Sequence, residues 1–217
     1  MGRKKVSVND RARKMVAQEA ARIIVDQGIQ DFRIAKIKAA DRLGLNNHGS
    51  LPSNCEIQQA VREHHQIFSR ESHFDLLLSL RRTALAAMEI LSPFSPRLVG
   101  PVLNGTAAVN STINLHVFSD TPELIAMKLD ENRLRWRSYE RRLKNRRDHT
   151  ETFAGYQFHH DDLAIEATVF PIDGIRQAPI SPVDGRPMPR ADTSAVLKLL
   201  EPNDLAKPDK SKRLRSA

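Results

Sequence analysis

Residues 96–118 read PRLVGPVLNGTAAVNSTINLHVF, and the fold turns on how this stretch is parsed. Leu98–Val99 is a short apolar run that ends at the Gly100–Pro101 step. Gly105–Thr106 follows, then a small polar linker from Ala107 to Ser111. From Thr112 to Phe118 the residues alternate, with Ile113, Leu115 and Val117 on one face and Thr112, Asn114 and His116 on the other. The pattern is strand, glycine turn, strand. Such a unit gathers backbone N–H groups and side chains around a phosphate, because glycine permits the tight backbone that points several amides one way.

Downstream, Arg133-Leu134-Arg135-Trp136-Arg137-Ser138-Tyr139-Glu140-Arg141 alternates basic and apolar residues. It predicts a strand with Leu134 and Trp136 inward and Arg133, Arg135, Arg137 and Arg141 outward. An arginine row beside Tyr139 suits a phosphate backbone or a stacked base. Residues 145–154 read as a loop. Tyr156–Phe158 and Leu163–Phe170 then predict a hairpin turning at His160–Asp162, with Glu166 and Thr168 on its polar face. The proline-rich 171–190 predicts a long irregular segment whose Arg176, Arg186 and Arg190 close over an anion. Asp192 or Thr193 caps a last short helix to Leu200.

The 96–118 stretch resembles the signature of the DNA-polymerase-beta-type nucleotidyltransferase superfamily, the minimal nucleotidyltransferases in particular. That signature is Gly-Ser, an inner Gly-Thr or Gly-Ser, then Ser-Asp-hydrophobic-Asp-hydrophobic. Laid without gaps, Gly100–Pro101 stands on the Gly-Ser, Gly105–Thr106 on the inner Gly-Thr, and Ser111-Thr112-Ile113-Asn114-Leu115 on the acidic strand. The resemblance covers about half the chain. It implies a small mixed sheet, a nucleotide held at Gly100, Pro101, Gly105 and Thr106, and catalytic positions at Thr112, Asn114 and Glu166. Glu166 takes the place of a third carboxylate supplied by a later strand. Thr112 and Asn114 stand where the family has its two metal-binding Asp, and Pro101 where it has Ser. Hard divalent cations need anionic oxygen, so magnesium or manganese is expected only if the site is active. One metal shared by Asn114, His116 and Glu166 is the alternative.

Composition sets the outer bounds. At 217 residues with 40% hydrophobic content, the chain has enough apolar mass for a core of one domain or two small ones. Cys55 is the single cysteine, which excludes an internal disulfide and a cysteine-based zinc cage. No apolar run approaches a membrane span, and the basic start MGRKKVSVND lacks the apolar centre of a signal peptide. The expectation is a cytoplasmic protein with no membrane partner. The net charge of +8 is concentrated in 1–22, 133–147 and 207–217, which leaves the remainder net acidic. Segregation of this kind points to an anionic partner, nucleotide or nucleic acid, with RNA placed ahead of DNA. No nucleophile elbow, Walker loop or dinucleotide fingerprint is present.

The first half reads as helices. One runs from a cap at Asn9 or Asp10 to Gln27, with Met15, Ala20, Ile23 and Ile24 as its stripe, and Gly28 ends it. A second spans Phe32 to Leu43, with Ile34, Ile37, Ala40 and Leu43 inward and Lys36, Lys38 and Arg42 outward. A capping box, Ser53 with Glu56, opens a third, striped by Ile57, Val61 and Ile67; its His64 and His65 read as surface or edge residues. A fourth, Phe74 to Leu91, is the most apolar, with Arg81–Arg82 on its solvent side. Residues 10–45 resemble the first two helices of TetR-type DNA-binding domains, although Asn46–Pro52 has loop chemistry where a recognition helix is required.

The sequence therefore predicts an α+β protein. A helical N-terminal region (1–92) precedes a nucleotidyltransferase-like mixed-sheet domain (93–200), with the boundary at Ser92–Pro96, and a basic disordered tail (201–217) follows. The expected function is nucleotide or nucleic-acid binding by a catalytically degenerate nucleotidyltransferase-like module. The alternatives are an active divergent nucleotidyltransferase using a single metal, and a helix-turn-helix-type DNA-binding regulator acting through 10–45.

Overall fold

A computed structural model of the chain describes residues 8–29, 31–45, 51–146 and 149–201. The expectations for residues 1–8, for most of the Asn46–Pro52 connector and for nearly all of the 201–217 tail lie outside these, Val8, Leu51, Pro52 and Glu201 excepted. Four helices lead: α1 (Val8–Gln27), α2 (Phe32–Leu43), α3 (Asn54–Phe68) and α4 (Arg70–Ile90). The rest is β1 (Arg97–Val99), α5 (Gly100–Asn104), β2 (Ile113–Phe118), α6 (Glu123–Glu131), β3 (Trp136–Arg146), β4 (His149–His160), β5 (Leu163–Phe170) and α7 (Thr193–Lys198). The five strands form one mixed sheet in the order β1-β2-β5-β4-β3. β1 and β2 are antiparallel, β2 and β5 parallel, and β5-β4-β3 a continuous antiparallel run. The fold is α+β, a helical segment followed by a mixed sheet.

Two cores hold it. Leu80, Ala84 and Met88 of α4 and Ile125 and Leu129 of α6 pack on Ile113, Leu115, Ile165, Ala167 and Phe158 of the sheet. Each large side chain fully buried here contributes roughly 1.5–3 kcal/mol relative to exposure. A second cluster joins α1, α2 and α3 through Ala17, Ala20, Ile23, Ala35, Ala39, Ile57 and Val61. The apolar core thus runs through the Ser92–Pro96 linker, because α4 belongs with the sheet.

Helix limits follow local chemistry. Asp31 caps α2 by accepting from the Arg33 and Ile34 amides, and Ser53 and Glu56 form the expected capping box of α3. Which helix faces turn inward departs from expectation. α2 packs through Ala35, Ala39 and Ala40, whereas Ile34 and Ile37 are nearly half exposed. Alanine faces let α1 and α2 approach closely, and that contact prevails over burying two isoleucines. Met15 and Ile67 are likewise exposed. Arg81 is buried rather than solvent-facing: its Nε donates to the Val102 carbonyl and its Nη1 to that of Leu199, both at 3.3 Å. α4 is covered on two sides, by the sheet and by the α5–α7 layer; Arg81 falls under that cover, while Arg82 is exposed as expected.

Residues 145–146 and 149–154, expected within a loop, are strand. β3 runs to Arg146 and β4 starts at His149, paired from Trp136↔Phe158 to Arg146↔His149. The high charge of this stretch belongs to a ribbon at the sheet edge, where, among the described residues, only Phe153 and Leu143 turn into the phenylalanine cluster and the charged side chains stay largely in solvent. The 100–105 turn is a single helical turn, α5, closed by Gly105 in the left-handed region. Among the described residues, no helix is long and apolar enough to cross a membrane.

His65 is a further correction. It is 5% exposed and stacks on His73 of α4 at 3.6 Å between centroids, and His73 Nε2 donates to the Ala107 carbonyl at 3.1 Å. Neither ring nitrogen of His65 has a partner. Burial, then neighbouring His73 and His64, pulls His65 down to about 4. Below pH 6.5 the unfolded chain takes up this proton while the fold resists it. The contribution of neutral His65 to stability is present above pH 6.5 and is lost, about 3 kcal/mol in all, as pH drops towards 4. A His65→Phe variant should therefore show a distinctly smaller loss of Tm between pH 7 and pH 4.5 by circular dichroism. An unchanged loss would remove His65 from the account.

Candidate functional site

The face of the sheet turned away from α4 and α6 carries the polar side chains. Register fixes its rows. Asn114 lies opposite Glu166, Glu166 opposite Gln157, and Gln157 opposite Arg137. The next row holds Arg97, His116, Thr168, Gly155 and Tyr139. Phe118, Phe170 and Phe153 cluster beyond them, against Leu143. The convergence of Asn114, His116 and Glu166 rests on the parallel pairing of β2 with β5.

Arg141 organises the first row. It leans back past Tyr139, its Cζ 5.3 Å from the ring centroid. Nη1 donates to Asn114 Oδ1 at 3.1 Å, and Nη2 donates to Glu166 Oε2. The Asn114 amide is oriented by Nδ2 donating to the Thr112 carbonyl at 3.0 Å, which leaves Oδ1 for the guanidinium. Arg137 Nε donates to Gln157 Oε1. Gly100, at φ +73°, closes the site from below: an added Cβ would stand 3.4 Å from Asn114 Nδ2, and a side chain there would be strained in any case.

Arg190 comes in from the 171–190 segment. Nε donates to His116 Nδ1 at 3.0 Å and Nη1 to the Gly174 carbonyl at 2.8 Å. Its Cζ lies about 5 Å from both the Phe118 and Phe170 rings, a cation–π geometry. Burial and the nearby Arg97 pull Arg190 down to about 10. Burial, Arg190 and Arg141 hold His116 well below the usual imidazole range. His116 is therefore neutral, and the Arg190 bond assigns its proton to Nε2. Glu166 is the one carboxylate among the residues of these rows, facing Arg97, Arg137, Arg141 and Arg190. The balance favours an anion.

The metal that the resemblance implies is a poor match for these donors. A hard divalent cation needs the Glu166 and Asn114 oxygens, and both already accept from a guanidinium; the third candidate, His116 Nδ1, accepts from Arg190. Among the described residues no group of three or more His, Cys, Asp or Glu is placed to hold a metal ion. Arg141 stands where such a cation would be.

The remaining expected residues are dispersed. The Gly105 and Thr106 amides both donate to the Pro101 carbonyl, which leaves neither for a phosphate. Pro101 and Thr106 line a cavity of about 60 Å³ against Ile24, Phe32 and Val61 of the helices. Thr112 lies just before β2. Arg133 turns the chain after α6 at φ +56°, and Arg135 precedes β3. Arg176 and Arg186 are exposed; of that trio only Arg190 reaches the sheet. Arg97, Gln157 and Gly155 entered without being singled out. Gly155 had a signal, a glycine in the alternating run that leads into Tyr156–Phe158. No protein-family model, curated protein or solved structure matches the chain.

Gly155 makes room for Tyr139. A Cβ there would overlap the Tyr139 ring, which crosses β4 to bring its hydroxyl 2.8 Å from Thr168 Oγ1. Gly155→Ala should destabilise the fold by about 1–3 kcal/mol in urea denaturation. The same substitution in a Tyr139→Ala background should cost little. Equal costs in both backgrounds would show that the ring does not depend on the glycine.

Proposed function

We propose that the polar sheet face binds the phosphate of a nucleotide or nucleic acid without a metal ion, as a nucleotidyltransferase-like module that has lost catalysis. The observation that carries this reading is Arg141 bonded to both Asn114 and Glu166. It supplies a fixed positive charge where a two-metal enzyme needs an empty cation site between carboxylates. The resemblance in 96–118 and the parallel placement of Glu166 beside Asn114 support the kinship. The excess of arginine over carboxylate supports an anionic ligand. Arg137 and Arg141 present planar donors suited to phosphate oxygens, and RNA is placed ahead of DNA as the macromolecular partner. Loss of catalysis follows from the charges: with Thr112 and Asn114 neutral and Glu166 neutralised by Arg141, nothing is left to activate an acceptor hydroxyl through a bound cation.

Calorimetric titration with ATP, GTP, CTP and UTP, in EDTA and in magnesium, tests the reading. Binding should be the same with and without the metal. Arg141→Gln, checked for folding by circular dichroism, should weaken it about tenfold, the scale of one lost charge-assisted contact. Binding that requires magnesium and disappears in Glu166→Ala would replace this reading with that of an active single-metal enzyme.

A further inference from the structure

The β3–β4 ribbon is longer than the sheet it belongs to. β5 pairs with β4 only from Gly155 to His160. The pairs Arg142↔Thr152, Leu143↔Glu151, Lys144↔Thr150 and Arg146↔His149 lie past the last of them. A two-stranded ribbon is marginal by itself in water, yet this one is braced. Leu143 packs on the phenylalanine cluster at its base, and the Ile180 amide of the 171–190 segment donates to the Lys144 carbonyl at 2.6 Å. On this braced extension Arg142 and Lys144 are both exposed. Two residues apart on one strand, they share a face and stand about 7 Å from each other along it. Strand alternation puts that face opposite the one carrying Arg137, Tyr139 and Arg141.

From this placement we propose that the ribbon is a second contact for a single-stranded nucleic acid, whose backbone passes from the polar sheet face around the β3 edge to Arg142 and Lys144. The proposal rests on the phosphate-binding reading of the sheet face and names its partner. A mononucleotide occupies the sheet face alone, since it has no phosphate to reach the other side of the ribbon. A chain of several nucleotides engages both. β3 is the outermost strand of the sheet, so the edge it must cross is the sheet's own. Rounding that edge requires a backbone that bends within a few nucleotides. A duplex, stiff over roughly 150 base pairs, resists such a bend, whereas a single strand makes it freely. The contact on the ribbon is to phosphate and carries no sequence preference.

The experiment compares wild type with Arg142→Ser/Lys144→Ser, two exposed substitutions remote from the core. ATP binding is measured by calorimetry, and binding of a fluorescent uridine dodecamer and a duplex of the same length by anisotropy across a salt series. The variant should bind ATP as wild type does. It should bind the single strand about tenfold more weakly at low salt, with the log–log salt slope reduced by about 1.4, two contacts at ~0.7 each. The duplex should bind wild type more weakly than the single strand. An unchanged dodecamer affinity and slope in the variant, or tighter binding of the duplex, overturns the proposal while ATP binding keeps the underlying reading intact. Failure of wild type to bind both ATP and the dodecamer removes that reading and this proposal together.

Discussion

The Arg141 guanidinium, bonded to Asn114 on one strand and Glu166 on the next, is the contact on which the polar half of this protein depends. Glu166 is a partly buried carboxylate on a central strand. Leaving it without a partner there would sacrifice a charge-assisted hydrogen bond in a partly desolvated setting. The pair exists because β2 and β5 run parallel with Asn114 and Glu166 in register, and because β3 extends far enough to bring Arg141 back over Tyr139. Gly155 lets Tyr139 lie across β4 beneath it. Each of these elements makes sense locally, but only the assembled sheet gives them a common object.

Charge accounts for the rest of the face. One carboxylate cannot balance Arg97, Arg137, Arg141 and Arg190, and His116 is kept neutral by burial and by the arginines beside it. Arg190 also ties the 171–190 segment to the sheet, through His116, the Gly174 carbonyl and two phenylalanine rings. That segment wraps from the end of β5 to β1, where Leu98 and Ala191 exchange backbone hydrogen bonds. The result is a positively charged, partly walled surface, opposite a conventional apolar core formed with α4 and α6.

Much of the fold was legible in the sequence, because alternation and capping are local. The β2 alternation, the Asp161–Asp162 turn, the α3 capping box and the Asp192 cap each follow from a few adjacent residues. What failed depended on long-range packing. Ile34 and Ile37 look like an inward stripe, yet α2 buries its alanines, because helix approach distance outweighs side-chain hydrophobicity there. Arg81 and His65 look like surface residues and are buried, Arg81 because α5 and α7 cover its side of α4 and His65 because α3 turns it onto His73 of α4. The charged 145–154 region looks like a loop, yet its described residues pair as a ribbon, because its strand pairing is with the stretch just before it. The site divides the same way. Asn114, His116, Glu166, Arg137 and Arg141 lie on alternating strands, so parity gave the face each takes within its own strand, while bringing them onto one face took the pairing of β2 with β5 and of β3 with β4. Arg97 and Gln157 depend on which strands neighbour which, and Arg190, expected over an anion, reaches His116 only by the path of the 171–190 segment. Gly105 and Thr106 matched a spacing, but their amides are used within α5.

Manganese binding followed by electron paramagnetic resonance tests the central claim most directly, because it asks whether the cation position is already taken. Wild type should leave added manganese free at micromolar protein, and Arg141→Ala, with Glu166 and Asn114 uncovered, should bind it more tightly than wild type does. Manganese bound by wild type and released by Glu166→Gln would contradict the account, since the oxygens assigned to Arg141 would then be holding a metal.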